Sequence, residues 1–205
     1  MQTRPAIIQM VMTRMDELTP YQEGLTSLSP SLQPLKPVQT TVNAVINECA
    51  TDLLLSHPIH RLDITSSVPA IAGKTDGSGI ITLPTDFLRL ASFQIAGFKR
   101  PVTEVLNALD PKVKLQYQPY TKGGKSKPVA VRESINTIHY FSITPGDTHT
   151  LDSFNYIKNQ LPEELKDDLL DGLAWLAASK ALVALGHIAE GQKAFDFFTL
   201  FNSRQ

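Results

Sequence analysis

Length and composition are those of an ordinary globular protein. The chain has 205 residues, 42% of them hydrophobic, so it can bury a substantial core in one domain, or in one domain with extensions. Nineteen basic residues against twenty acidic ones give a formal net charge of −1, which argues against a protein whose main role is to neutralise phosphate. Because Cys49 is the only cysteine, an internal disulfide is excluded and a reducing compartment is favoured.

The sequence carries no clear membrane or export signal. Its longest apolar stretch, residues 172–186, contains Lys180 and is too short to cross a bilayer, and the N-terminal residues lack the apolar core of a signal peptide. We therefore expect a soluble protein that is made in the cytoplasm and has no membrane partner. Cys49 falls in a predicted helix and is interpreted as a small buried hydrophobe.

The N-terminal part of the chain is predicted to form a short helix followed by an extended arm. Apolar residues recur at helical spacing between residues 5 and 18, whereas residues 19–37 intersperse prolines with serines and resist regular structure. Residues 1–36 are therefore assigned as an N-terminal extension, set apart from a main domain at residues 37–201. The first helix is then free to pack far away, even on another subunit, although packing in the core of its own chain is the alternative.

The main domain is predicted to combine helices with an inserted β platform. Its first helix covers residues 37–56 and ends because His57 precedes a proline, and the insertion covers residues 59–158. Helices and strands are segregated along the chain rather than alternating, which predicts an α+β fold, a helical bundle with a small, mostly antiparallel sheet. The strands are expected at residues 59–66, 79–83, 88–97, 128–132 and 136–143.

A helical hairpin at residues 162–185 and 188–201 is predicted to close the main domain, leaving residues 202–205 as a tail. Pro162 suits the first helical position, acidic residues follow it near the positive end of the helix dipole, and Gly186 offers the left-handed cap that ends the first helix. Beside a leucine stripe this helix carries a stripe of alanines, which lets a partner backbone approach closely. Lys180 lies within that stripe, where either a carboxylate of a neighbouring subunit or exposure to solvent satisfies its charge.

A loop rich in lysine and glycine is the motif most suggestive of chemistry. Residues 119–126 end in Gly-Lys-Ser like a phosphate-binding loop, but Pro119 replaces the first glycine of that motif and a strand, not a helix, is predicted to follow. A phosphate-binding loop of that type is therefore rejected. The alternatives are a mobile loop that contacts an adjacent subunit or nearby nucleic acid, and a solvated surface loop. Its residues are Lys122, Gly123, Gly124, Lys125 and Lys127.

Signatures of catalysis or metal binding are weak. His57 and His60 are separated by a proline that breaks the helical register, and no third ligand lies near them in the sequence. The acidic residues after Pro162 are explained by helix initiation, and no motif of an activated nucleophile occurs. We therefore expect no enzymatic activity, no metal and no cofactor.

Two stretches resemble the head-to-tail connector, or adaptor, proteins of tailed bacteriophages, especially those with short tails. One joins residues 81–90, Ile-Thr-Leu-Pro-Thr-Asp-Phe-Leu-Arg-Leu, to residues 97–102, Gly-Phe-Lys-Arg-Pro-Val. It is similar to the family's strand, Leu-Pro-x-Asp-Phe turn, second strand and aromatic-basic-Pro-Val step. The other is the C-terminal helix pair, with Leu-Ala-Trp-Leu at residues 173–176. The order of helix, β insertion and helical hairpin also matches across residues 37–201.

The resemblance implies a structural protein of the virion neck, made in the host cytoplasm. Identical subunits would form a ring, usually a dodecamer, beneath the portal protein. Other tail or ring proteins would bind the ring, and DNA would pass through its channel with only non-specific contacts. The alternative is a cytosolic α+β binding domain whose lysine and glycine loop contacts nucleic acid.

Two sets of residues acquire a role from the resemblance. The alanine stripe becomes a close-packed surface between subunits, and the C-terminal phenylalanines become anchors in the portal, because aromatic side chains bury a large area with few rotamers to freeze. For the phenylalanines, closing the core of the hairpin is the alternative, since several lie at helical spacing. The residues are Ala174, Ala177, Ala178 and Ala181 for the subunit interface, and Phe195, Phe197, Phe198 and Phe201 for the portal.

Overall fold

The computed structural model describes residues 2–18, 35–118 and 120–204, and it divides the chain into two compact units. The described residues within 1–57 and 160–205 form a helical unit, and those within 58–159 form a β unit. Helices and sheets are both present and, apart from the short helix within residues 111–116, segregated, which confirms the predicted α+β class. In chain order the elements are α1 (Arg4–Leu18), α2 (Leu35–Ser56), β1 (Thr65–Ser66), β2 (Ile71–Gly73), β3 (Gly79–Thr82), β4 (Phe87–Ile95), β5 (Leu106–Asn107), α3 (Pro111–Gln116), β6 (Ala130–Ser134), β7 (Thr137–Tyr140), β8 (Leu151–Lys158), α4 (Asp167–Ala184) and α5 (Ile188–Arg204), with 3₁₀ turns at Ile59–Arg61 and Pro162–Glu164.

Helix α4 is the centre of the helical unit. It packs against α1, α2 and α5, and most of its residues are buried. A helix that is apolar on more than one side needs neighbours on each of those sides, and here all three belong to the same chain. Helix α2 therefore packs on the first helix of the C-terminal hairpin.

Helix α1 belongs to this helical unit, so its assignment to a separate extension at residues 1–36 is wrong. Its apolar face is buried, and Arg14 donates a hydrogen bond to Asp171 of α4 over 2.7 Å. The Arg14 guanidinium also lies 4.9 Å from the centre of the Trp175 ring, and Arg4 pairs with Glu163 over 3.2 Å. These contacts show that α1 packs in the core of its own chain, which was the alternative to packing on another subunit. The predicted arm at residues 19–34 lies outside the described residues.

The start of the C-terminal hairpin differs from the prediction of a helix beginning at Pro162. Residues 162–164 form a 3₁₀ turn in which the Glu164 carboxylate accepts the Leu161 amide hydrogen over 3.2 Å. The backbone at Leu165 then turns extended, with ψ of 151°, and Leu165 is buried. Helix α4 begins only at Asp167 because this extended step interrupts the helical dihedral angles.

The end of α4 follows the prediction. Gly186 has φ of +91°, the left-handed region that glycine adopts without strain. The His187 amide donates to the Leu182 carbonyl over 2.9 Å, and the Gly186 amide donates to the Val183 carbonyl over 3.0 Å. This double hydrogen bond is the Schellman arrangement, which satisfies the last carbonyls of the helix.

Lys180 finds its partners inside the helical unit, so neither a neighbouring subunit nor solvent alone satisfies its charge. Its Nζ donates to Glu48 and to Asp52, each over 2.6 Å. Burial opposes the ammonium charge, but these hydrogen bonds outweigh it and raise the pKa of Lys180. Cys49, next to Glu48 on α2, is fully buried, and burial raises the pKa of its thiol to about 12. The interpretation of Cys49 as a small buried hydrophobe is confirmed.

The β unit consists of two sheets that share one apolar core. The first has the strand order β1-β8-β4 and the second has the order β2-β3-β7-β6-β5. All neighbours are antiparallel except β5 and β6, as the prediction of a mostly antiparallel sheet requires. Phe93 and Phe154 of the first sheet meet Ile81, Ile138 and Tyr140 of the second in this core.

The stretch that resembles the phage connectors forms defined local structure in the β unit. Within Leu-Pro-Thr-Asp-Phe, the Phe87 amide donates to the Pro84 carbonyl over 3.1 Å, which closes the predicted turn before β4. The Asp86 carboxylate accepts the Tyr156 hydroxyl over 2.9 Å and so fixes the turn to β8. After β4 the chain returns, and Val102 pairs with Phe93 through two backbone hydrogen bonds.

Several strands lie where the sequence predicts them, whereas other predicted strands do not form as expected and some observed elements are not predicted. Strands occur within residues 79–83, 88–97, 128–132 and 136–143, with shifted bounds, but residues 59–66 form a 3₁₀ turn and only a two-residue strand. Strands β2, β5 and β8 and helix α3 are not predicted. For α3 the signal was present, because the Asp110 carboxylate accepts the Lys112 amide over 2.8 Å and Pro111 follows, a regular helix start.

Candidate functional site

The four alanines predicted as a subunit interface lie inside the helical unit of one chain. Ala174, Ala177, Ala178 and Ala181 each have 0% of their surface exposed. The backbone of α5 does come close to α4 beside this stripe, since a Cβ at Gly191 would lie only 3.0 Å from the carbonyl oxygen of Ser179. Because the alanines are fully buried within one chain, the prediction of an intersubunit surface is wrong.

The four C-terminal phenylalanines divide into two groups. Phe198 has only 6% of its surface exposed and faces the hairpin core. Phe201 also points inward, where it stacks on the His57 ring with centroids 6.4 Å apart. These two side chains close the core, which removes Phe198 and Phe201 from the predicted set of portal anchors. Phe195 and Phe197 remain, with 44% and 45% of their surfaces exposed.

The exposed side of α5 carries two apolar flanks. Ile188 and Phe195, seven positions apart, lie on one flank, whereas Phe197 and Leu200, three positions apart, lie on the other. All four side chains are among the exposed large hydrophobic residues of the chain. Phe197 is held in place by the Trp175 ring of α4, whose centre lies 4.7 Å from that of Phe197 at an interplanar angle of 23°. The flanks are therefore ordered apolar surface on a firmly packed helix.

Side-chain and backbone amide contacts fix the loop rich in lysine and glycine within the β unit. Lys125 forms an ion pair with Asp147 over 2.7 Å, and its hydrogen bond lowers the pKa of Asp147. Lys122 donates to the Asp76 carbonyl over 3.3 Å, and the Gly123 amide donates to the Gln116 side chain over 2.8 Å. Two of the three loop lysines are thus engaged within the chain.

The two loop glycines differ in the space around them, which provides a matched test of the loop geometry. A Cβ at Gly123 would lie 2.6 Å from the Lys127 carbonyl oxygen and 2.8 Å from Val129 Cγ2, whereas nothing lies within 4 Å of a Cβ at Gly124. We expect Gly123→Ala to lower the free energy of unfolding by about 1–3 kcal/mol through overpacking. Gly124→Ala should change it by less than about 0.5 kcal/mol. Urea unfolding of both variants measures the difference, and equal values would contradict this geometry.

The loop does not form a phosphate-binding loop of the Gly-Lys-Ser type. Helix α3 precedes it, and the segment that follows it is strand β6, beginning at Ala130. A helix N-terminus after the loop, which would hold the phosphates in that motif, is not present at this place. Pro119 lies outside the described residues.

A cavity of about 690 Å³ opens beside this loop within the β unit. Its walls come from three separate stretches: residues 100–106, helix α3 and residues 121–130. Gln116 has only 7% of its surface exposed, and its Nε2 donates to the Lys112 carbonyl while its Oε1 accepts from Gly123, so it ties α3 to the loop. The charged residues on the cavity wall are Arg100, Glu104, Lys112 and Lys127.

A smaller cavity of about 320 Å³ lies on the other side of Gln116. Ser142 lines it and has φ of 89°, a left-handed backbone that serine adopts only at a cost of about 1–3 kcal/mol. The Val129 amide donates to Ser142 Oγ over 3.4 Å, so the strained residue supports the segment that forms a wall of the larger cavity. Gln116 and Ser142 together hold the loop and its following segment in place.

A cluster of polar side chains on β6 and β7 is the other candidate for a chemically reactive site. His139 Nδ1 lies 2.9 Å from Glu133, and the Tyr117 hydroxyl donates to the same carboxylate over 3.1 Å. The hydrogen bond with His139 lowers the pKa of Glu133, and burial raises the pKa of Tyr117. Neither His139 nor Glu133 lines either of these two cavities, whereas Tyr117 lines the smaller one.

His57 and His60 do not form a metal site in the described part of the chain. His57 is buried, and its Nδ1 lies 3.1 Å from Asn202 Oδ1, whereas His60 is exposed. Among residues 2–18, 35–118 and 120–204, no group of three metal-ligating side chains comes together. In the same residues, no helix is long and apolar enough to cross a membrane.

Comparison with known proteins does not place the chain in a family. No protein-family model matches it, and no curated protein matches its sequence. What the structure defines is an α+β protein of two units, with an exposed aromatic surface on α5 and a cavity with a cationic wall in the β unit.

Proposed function

We propose that the chain is a structural virion protein of a tailed bacteriophage, one subunit of the ring that joins the capsid portal to the tail and lets DNA pass. The observation that carries the proposal is the exposed side of α5. Phe195 and Phe197 keep almost half of their surfaces exposed although Phe198 already closes the core beneath them. Ordered aromatic side chains left outside a completed core are typical of surfaces that become buried in a complex.

The β unit supports the same proposal through the stretch that resembles the connectors. Its Leu-Pro-Thr-Asp-Phe turn, strand β4 and the return through Val102 occur in the order expected from that family. The small net charge of −1 is compatible with a channel in which DNA must slide, since dense basic contacts would bind phosphate and hinder movement.

The proposed ring needs contact surfaces other than the buried alanines. A closed ring of identical subunits uses two different patches, one on each side of the subunit. Exposed apolar side chains are available in both units, including Ile135 at the tip of the β6–β7 hairpin, which has 82% of its surface exposed. We propose a dodecameric ring in the virion neck, with Phe195 and Phe197 turned to the portal and other tail or ring proteins bound elsewhere.

A nucleic-acid-binding domain is the less well supported alternative. It depended on three free lysines in the loop, but Lys122 and Lys125 are bound to Asp76 and Asp147 within the chain. Contact with channel DNA, if made by this loop, then rests mainly on Lys127, which is exposed.

The portal anchors are tested by replacing both exposed phenylalanines. Phe195→Ser/Phe197→Ser is expected to weaken binding to the portal protein of the same genome by about 100-fold or more, since buried aromatic anchors dominate binding energy. Leu161→Ser is the matched control, because Leu161 is an exposed apolar residue of the helical unit outside α5. Binding is measured by interferometry on immobilised portal, after circular dichroism has established that both variants are folded. Unchanged binding of the double variant would exclude α5 as the portal surface.

A further inference from the structure

The larger cavity of the β unit has an excess of positive charge that the chain does not neutralise. Arg100, Lys112 and Lys127 line it together with one acidic residue, Glu104, so its charged residues sum to three positive minus one negative, or +2. Among the described residues, none of these three cations forms an ion pair with a carboxylate. The cavity is therefore a local cationic site in a chain whose net charge is −1.

Several other cations of the chain are paired with carboxylates. Arg14, Lys125 and Lys180 each bind a carboxylate of the same chain at 2.6–2.7 Å. Unpaired cations that share one concave surface repel one another, and an anion bound between them relieves that repulsion. Arginine and lysine side chains donate charge-assisted hydrogen bonds to phosphate oxygens, and arginine does so with a planar pair of donors.

Much of the remaining cavity wall is apolar, beside the polar residues Thr103, Gln116 and Thr121. Leu106, Leu115 and Val129 line it, and Gln116 bonds both α3 and the loop. A volume of about 690 Å³ lies within the range of small-molecule sites, which combine apolar walls with a few placed polar groups. It exceeds what an inorganic anion alone would fill.

We propose that this cavity binds a small phosphate-bearing organic ligand of about mononucleotide size, with the phosphate at Arg100, Lys112 and Lys127 and the organic part against the apolar wall. Phosphate recognition here uses side-chain cations, because the Gly123 amide is already donated to Gln116. The ligand is either a free mononucleotide or a nucleotide within a single strand of nucleic acid. The proposal does not depend on ring formation.

The test measures binding of three probes to the full chain by isothermal titration calorimetry and by amide NMR signals around Gly123. The probes are inorganic phosphate, adenosine monophosphate and a short single-stranded oligodeoxynucleotide. Lys112→Gln/Lys127→Gln is expected to weaken binding of the organic probes by about tenfold or more, through loss of two charge-assisted contacts. The matched control is Lys114→Gln, since Lys114 lies on the same helix but does not line the cavity, and it should stay within about twofold of the unchanged protein.

The probes also separate the sources of the phosphate. Tighter binding of the mononucleotide than of inorganic phosphate supports a free ligand, whereas binding of the oligodeoxynucleotide without the mononucleotide supports a nucleic-acid strand. Absence of binding by all three at millimolar concentration overturns the proposal. Weakening by the Lys114 control that reaches half of the double variant's effect on a logarithmic scale overturns it as well, because binding would then follow the number of charges removed and not the cavity.

Discussion

Replacing Phe154 by alanine is expected to lower the free energy of unfolding of the β unit by about 3–5 kcal/mol. Phe154 lies on β8 with 0% of its surface exposed, and its ring packs against Phe87, Phe93 and Tyr156 with centroids 5.8–6.4 Å apart. Truncation removes apolar contacts on three sides and leaves a cavity that the neighbouring rings cannot fill. The loss is a large share of the stability of about 5–15 kcal/mol that a domain of ordinary size has.

Urea unfolding followed by near-ultraviolet circular dichroism of the tyrosines measures this effect in the β unit. Ile135→Ala is the control, because Ile135 is a large apolar residue of the same unit that is exposed. It should change the free energy of unfolding by less than about 0.5 kcal/mol. Equal effects of Phe154→Ala and Ile135→Ala would contradict the burial of Phe154 in the core that the two sheets share.

The second large effect concerns the alanine stripe of α4. Ala177→Leu/Ala181→Leu is expected to destabilise the helical unit by about 3 kcal/mol or more, because two leucines must enter a closely packed interior. Both alanines have 0% exposure and lie one turn apart on the same helix face. If they formed a surface between subunits, the same change would leave the isolated chain stable and affect only assembly.

Trp175 is the only tryptophan and lies in α4, so its fluorescence during urea unfolding follows the helical unit selectively. Ala184→Leu is the matched control, since Ala184 lies on the same helix but is exposed. A change below about 0.5 kcal/mol is expected for it. A stable double variant with an unchanged fluorescence transition would restore the interface interpretation that the burial of these alanines contradicts.

The features of the fold that depend on residues adjacent in the sequence were the most predictable. Gly186 ends α4 because the position needs a left-handed backbone, and the turn at Pro84 and Phe87 follows from the chemistry of its own residues. The helical repeat of α2 and the burial of Cys49 could likewise be predicted from spacing alone. In each case, the residues that decide the structure are neighbours in the sequence.

Tertiary partners were not predictable in the same way. Arg14 of α1 contacts Asp171 of α4, which is 157 positions away in the sequence, so periodicity could identify the helix but not its neighbours. Strand β8 was missed because the β4–β8 pairing contains bulges that break the alternation of faces, and Phe154, Tyr156 and Ile157 are all buried. The alanine stripe indicated tight packing, but the spacing of the alanines could not indicate that the neighbouring helices belong to the same chain.

The candidate sites show the same limit. On α5, the spacing of Ala194, Phe198 and Phe201 at steps of four and three defines the inward face, and could have separated Phe195 and Phe197 as outward residues from the sequence. The cavity could not be found in this way, because its walls come from three stretches that meet only in the folded β unit. The sequence places Lys127 in its loop, but only the fold brings it to the same cavity as Arg100 and Lys112.

The central claim is that identical copies of this chain form a ring between portal and tail, with α5 turned to the portal. Cryo-electron microscopy of purified virions from the same genome tests it most directly, supported by mass spectrometry of their proteins. We predict a closed ring of about twelve copies below the portal, in which Phe195 and Phe197 are buried against portal residues. Virions that lack the chain, or a ring in which α5 faces solvent, would contradict the account.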